Sequence, residues 1–228
     1  MYRSRDRLII IDADGTVIDA FTAIGGAFAR HGMDIGDLDR FQKRRNLFKY
    51  LGGLKEFPRN LAKHFGKLGR KDLLATLTDI YREEAQLYPG MAELIHVLLE
   101  TPDIRVGMVT RNVTHEPEIT LGRLFARHAL DIKQLDFLHH IPLRHEKTPY
   151  FKAARESLDI NPARAYACGD EHKDYNAATA AGMHPFIVAY GFESFTRLTR
   201  KYAIPEEVVS ETPQTFSARV RHALDLAE

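Results

Sequence analysis

Residues Leu8–Asp19 read LIIIDADGTVID. The opening run Leu8–Ile11 is continuously apolar and mostly β-branched, the pattern of a strand buried on both faces of a parallel sheet. Two carboxylates, Asp12 and Asp14, follow where the strand runs out, and extended backbone puts both side chains on one side. Gly15 permits a sharp turn. Carboxylates at the carboxyl end of a buried parallel strand lie in the crevice where open α/β sheets bind ligands. An Asp-Gly turn capping the next element would explain the same letters without chemistry, and the remainder of the chain separates the two.

Downstream, short apolar runs at Ile104–Val109, Asp136–Ile141, Ala165–Cys168 and Pro185–Ala189 predict four further strands. Helical periodicity falls between and after them, at Met91–Glu100, Glu118–His128, Thr148–Leu158, Tyr175–Ala181 and Phe216–Leu226. Strands alternating with helices of this length imply βαβ units around a parallel sheet, an α/β fold. The segment from Phe21 to Tyr88 is different. It carries only helical patterning, broken by Gly52-Gly53, Pro58 and the stretch Gly66 to Gly69, and is too long for a simple crossover. It reads as an inserted helical subdomain, so the expected division is a core of residues 1–20 and 89–228 and a helical cap of residues 21–88.

The chain has 228 residues, 44% hydrophobic and 28% charged, with net charge +1. This is ordinary for a globular protein and gives no reason to expect nucleic acid or a membrane as partner. The single cysteine, Cys168, rules out an internal disulfide and reads as a small core residue. The apolar run before Asp12 is too short for a signal-peptide core, and no window approaches a membrane span; a cytoplasmic location is the expectation. Charge is uneven within the insert: from Arg40 to Asp72, eleven basic residues face only Glu56 and Asp72. Most would form a solvated face. Arg44 and Arg45, with Lys49 and Arg59, are the candidates to meet an anionic substrate, because the guanidinium fork binds phosphate or carboxylate in a bidentate way.

In a parallel sheet the carboxyl ends of all strands share one edge. That edge would gather Asp12 and Asp14, Thr110 with Asn112, the Lys147 region, and Asp170 with Glu171 and Asp174. Several carboxylates together suit a hard cation such as Mg²⁺ and would repel one another without it. A lysine and a threonine hydroxyl beside them are donors for phosphate oxygens. One carboxylate can act as a nucleophile and a second can move the proton.

D-x-D-G-T-V after an apolar strand, Thr at the second strand end, a Lys, and G-D-E-x-x-D after a later strand together resemble the haloacid dehalogenase (HAD) superfamily. The helical insert after the first motif is similar to the C1-cap members, including phosphoglycolate-phosphatase-like enzymes. The resemblance implies a Rossmann-like parallel-sheet core flanked by helices and a Mg²⁺-dependent phosphomonoester hydrolase acting through an aspartyl-phosphate on a small phosphorylated metabolite. It implies Asp12 as nucleophile and Mg²⁺ ligand, and Asp14 as general acid/base with its carbonyl on the metal. Thr110 and Lys147 would act on the phosphoryl group, Gly15 and Asn112 would line the substrate pocket, and Asp170 would ligate Mg²⁺. Glu171 and Asp174 compete for the remaining acidic role. The lysine motif departs from the common Lys-Pro pattern, since Thr148 separates Lys147 from Pro149; Lys152 and His145 are the alternatives. Within the superfamily, Asp14 favours a leaving group that needs a proton, hence a phosphoester. A phosphosugar mutase shares that first motif, and a scaffold docking an anionic partner through the basic insert is the reading from another class.

Overall fold

The computed structural model describes residues 2, 4–43 and 69–226. Arg44, Arg45, Lys49, Gly52-Gly53 and Arg59 lie outside them. The described chain builds one parallel sheet ordered β3-β2-β1-β4-β5-β6, with strands β1 Arg7–Ile11, β2 Ile104–Thr110, β3 Phe137–His140, β4 Ala165–Gly169, β5 His184–Val188 and β6 Val209–Ser210. Every pairing is parallel. Leu8–Ile11 is almost completely buried, as a central strand requires. From β1 the chain winds outward through β2 and β3, then returns to the other side of β1 for β4. The order therefore reverses between β1 and β4, and the crevice at that reversal is where doubly wound sheets bind ligands.

Helices cover both faces. They are α1 Ala20–Ala29, α2 Leu38–Lys43, α3 Arg70–Glu83, α4 Met91–Glu100, α5 Pro117–Arg127, α6 Thr148–Ser157, α7 His172–Ala180 and α8 Pro213–Ala223 among the described residues. The buried stripe of α1 (Ala20, Ala23, Ile24, Ala27, Phe28) and that of α3 (Leu73, Leu77, Ile80, Tyr81) belong to the same hydrophobic cluster as Ile9 and Ile11 of the sheet. The two helices thus share one hydrophobic core with the sheet. Phe28→Ala should lower the unfolding free energy by about 3–5 kcal/mol, through lost burial and the cavity left behind, as measured by urea denaturation.

Most element boundaries differ from the sequence expectation by a residue or a few, and three of the differences have a local reason. Strand β2 runs one residue further, because Thr110 pairs in register with His140 of β3. Helix α7 starts at His172 rather than Tyr175, because Asp174 accepts the Glu171 N–H at 3.0 Å and closes the first turn from inside it. Helix α8 starts at Pro213, where Thr212 accepts the Thr215 N–H at 3.1 Å and proline fills the first helical position. The two-residue β6 and the π-helical turn Arg197–Lys201 carry no periodicity long enough to read.

Candidate active site

Asp12 continues the sheet beyond β1: its N–H donates to the Cys168 carbonyl at 3.0 Å, so the nucleophile candidate is held by β4. The chain then turns tightly, with the Ala13 carbonyl accepting the Val17 and Ile18 N–H groups at 3.0 Å. Gly15 sits at φ +78°, and its N–H is already committed to the Ile18 carbonyl at 3.0 Å. The turn brings Gly15 against the Asp170 carboxylate, and Gly191 approaches the same carboxylate. A Cβ at either position would collide with it. Asp170 Oδ2 also accepts the Phe192 N–H at 2.5 Å. Two glycines and a backbone amide therefore fix the carboxylate that follows β4.

Lys147 caps α6 and points into the acidic edge. Its ammonium is 2.6 Å from Asp12 Oδ2 and 2.8 Å from Asp174 Oδ1, and its side chain is 1% exposed. Burial pulls its pKa down, but the two carboxylates outweigh that and the net shift is upward, so the charge is kept. Lys152, by contrast, is exposed on α6. His145 is exposed too, with Nδ1 3.3 Å from the Tyr150 hydroxyl. Of the two acidic candidates after β4, Asp174 faces Lys147. Glu171 approaches Arg111 at 3.7 Å.

One carboxylate oxygen from each of Asp12, Asp170 and Asp174 lies within 4.8 Å of the others. Burial, opposed by Lys147 and reinforced by Asp174, pushes Asp12 upward. Burial, with Asp12 and Asp174 adding to it, pushes Asp170 well above the usual carboxylate range. One ammonium among three clustered acids leaves negative charge uncompensated. The donor set is all oxygen and mostly buried, and it fits a hard divalent cation.

Asp14 stands apart from that cluster but lines the same cleft as Asp12, Asp170 and Glu171, a space of about 30 Å³. Tyr81 of α3 donates its hydroxyl to Asp14 Oδ1 at 2.7 Å, and Asn112 Nδ2 reaches both carboxylate oxygens at 3.0 and 3.1 Å. The Asn112 amide is oriented in turn, because its Oδ1 accepts the Thr114 N–H at 3.0 Å. Burial pushes Asp14 up; the Tyr81 hydrogen bond opposes this, the Asp12 charge adds to it, and the result is a pKa of about 7. A carboxyl group titrating there can give and take protons near neutrality. Thr110 is fully buried at the end of β2, its hydroxyl accepting the Asn112 N–H at 3.2 Å. Cys168 is buried in β4 with its thiol pushed up by burial, the state of an inert core residue.

Three side chains that hold the site or its loops gave no signal in the sequence: Tyr81, Glu193 and Gln42. Tyr81 falls in the apolar stripe of α3 and reads as core, yet its hydroxyl holds Asp14. Glu193, fully buried, accepts the His172 N–H at 2.6 Å and the Arg197 Nε–H at 3.2 Å, tying the loop that carries Phe192 to the start of α7. Gln42 of α2 braces the same loop by donating to the Gly191 carbonyl at 2.7 Å.

Solved structures share this fold over nearly the whole chain. A haloacid dehalogenase-like hydrolase of Streptococcus pneumoniae superposes with a TM-score of 0.65 at 17% identity, covering 94% of this chain and 98% of its own. CbbY of Rhodobacter sphaeroides, solved with phosphate, gives 0.62 at 20% identity, covering 97% and 100%. A Thermotoga maritima protein provisionally named a β-phosphoglucomutase gives 0.64 at 16% identity, covering 95% and 99%. No curated protein matches the sequence significantly. The sequence profile of the haloacid dehalogenase-like hydrolases matches residues 7–182, from the first residue of β1 to the glycine after α7, so the motifs at all three central strand ends fall inside it and the chain belongs to that family.

Proposed function

We propose that the protein is a Mg²⁺-dependent phosphomonoesterase that works through an aspartyl-phosphate on Asp12. The observation that carries this is the pairing inside one small cleft of a carboxylate held by Lys147 with a second, Asp14, whose pKa is about 7. A leaving alkoxide needs a proton, and Asp14 can supply it. In the first step an Asp12 oxygen attacks phosphorus, the bond to the leaving oxygen breaks, and Asp14 delivers its proton there. In the second, Asp14 takes a proton from water as the water attacks phosphorus, and the phosphorus bond to Asp12 breaks. Lys147 keeps Asp12 oriented and balances charge throughout. Asp12 and Asp170, with the Asp14 carbonyl, would hold Mg²⁺, with Asp174 acting beside them; the cation supplies electrostatic stabilisation of the phosphoryl oxygens. Residues 21–88 would form the cap, with Arg44 and Arg45 facing the substrate.

The test is hydrolysis of p-nitrophenyl phosphate and a panel of phosphorylated metabolites, with and without Mg²⁺. Release of inorganic phosphate supports the reading; transfer of the phosphoryl group to a sugar hydroxyl would point to a mutase, and an inert protein would overturn it. A second expectation concerns stability. Asp14 titrates at about 7 in the folded protein against 3.8 as its ordinary value, so its ionisation destabilises the metal-free fold as pH rises through that window. Asp12 and Asp170 are shifted the same way. Mg²⁺ should therefore raise Tm more at pH 8 than at pH 5. Saturation about 100-fold above Kd should give on the order of 5–10 °C at pH 8, read by calorimetry. An equal gain at both values would contradict the carboxylate site.

A further inference from the structure

The reacting cleft, at about 30 Å³, holds little beyond a phosphoryl group, so the rest of any substrate must lie elsewhere. Beside it, sharing Arg111 and Leu143 as common walls, opens a cavity of about 600 Å³. That volume is in the range of metabolite sites. The loops after β2 and β3 and the start of α3 form it. Its described lining brings three guanidinium groups, Arg70, Arg111 and Arg144, together with three imidazoles, against the single acid Glu116. Glu116 is already engaged, since Arg82 Nη2 lies 2.9 Å from its carboxylate.

Arg111 is the pivotal residue. Its side chain is 10% exposed and meets Glu171 only at 3.7 Å, beyond hydrogen-bond length. Its Nε is buried with no acceptor among the described residues. A guanidinium in the cavity wall whose nearest carboxylate stands beyond hydrogen-bond length is a ready partner for an oxyanion in that cavity. Arg144, on the exposed β3–α6 loop, makes no ion pair among the described residues and brings a second guanidinium to the same cavity. His140 is less available, because its Nε2 lies 2.9 Å from the Asn112 carbonyl.

We propose that this cavity is a second anion subsite. The substrate is then a small phosphate monoester whose far end carries another oxyanion, a carboxylate or a second phosphate, gripped by Arg111 and Arg144 while the near phosphoryl group reacts at Asp12. This rests on the phosphomonoesterase reading. It goes beyond it by fixing the chemical class of the substrate and by placing the recognising charge on the core loops after β2 and β3, rather than on the basic insert.

The experiment compares straight-chain alkyl phosphates of matched length whose far end is a hydroxyl, a carboxylate or a phosphate, assayed with Mg²⁺ beside p-nitrophenyl phosphate. The anion-ended esters should exceed the hydroxyl-ended ones in kcat/KM by about tenfold or more, carried by KM. The carboxylate and phosphate arms tell which oxyanion fits. In Arg144→Gln, an exposed substitution that leaves folding intact, and in Arg111→Gln, that preference should collapse to about twofold or less. Turnover of p-nitrophenyl phosphate with equal efficiency for all three far ends overturns the subsite alone, as does a preference that survives both substitutions. Absence of turnover on every ester overturns the phosphomonoesterase reading and the subsite with it.

Discussion

Asp12→Asn should abolish phosphate-ester turnover, with kcat falling by about 10⁴-fold or more, while the protein stays folded. An amide of the same shape keeps the packing at the end of β1 but offers no anionic nucleophile, and single losses of a nucleophile cost on this scale. Folding should not suffer. Burial and the Asp174 charge both disfavour ionised Asp12, and Lys147 retains Asp174 at 2.8 Å as a counter-ion. The expected pairing is therefore an inactive enzyme with Tm unchanged or raised in the absence of Mg²⁺. A parallel loss of Tm and activity would mean that Asp12 is a structural ion-pair partner first. Retained activity would move the nucleophile elsewhere.

Asp14→Asn should split substrates by leaving group. Alkyl phosphates release a strongly basic alkoxide and need the proton, so their first step should slow by about 10²–10⁴-fold. 2,4-Dinitrophenyl phosphate releases a stable phenolate, and its first step should be nearly untouched. Tyr81→Phe should reproduce the split in milder form, because the ring and its burial remain while the 2.7 Å hydrogen bond to Asp14 is lost. Its pH profile carries a sign. The Tyr81 hydrogen bond lowers the Asp14 pKa, so removing it raises that pKa above about 7, and the limb of kcat/KM that needs protonated Asp14 should extend to higher pH. A uniform loss across leaving groups would make Tyr81 a packing residue only.

The legibility of this molecule in its sequence follows how local each signal is. The sheet was readable because Leu8–Ile11 and its parallel partners are short, buried on both faces and bounded by turn residues. The strand-end chemistry was readable because a parallel sheet gathers its carboxyl ends whatever their sequence separation. Lys147, Lys152 and His145 could not be separated by spacing alone, since one residue of shift around Pro149 changes which side chain faces the acids. Only the start of α6 puts the Lys147 ammonium beside Asp12. Tyr81 was invisible for a different reason. A buried tyrosine at helical spacing reads as core, and its hydroxyl partner lies 67 residues away on β1's turn. Gly191 and Glu193 belong to the same class, because what they do depends on a close approach to Asp170 and His172 that no local pattern encodes.

The aspartyl-phosphate on Asp12 is tested most directly by rapid acid quench of Asp14→Asn reacting with 2,4-dinitrophenyl phosphate and Mg²⁺, followed by peptide mass spectrometry. The first step needs no proton with this substrate, while hydrolysis of the intermediate loses its base, so phosphoenzyme should accumulate. The peptide containing Asp12 should then carry the mass of one phosphoryl group, removed by hydroxylamine as an acyl phosphate would be. Phosphate released in step with dinitrophenolate, with no phosphoryl group on that peptide or with one on another residue, would contradict it.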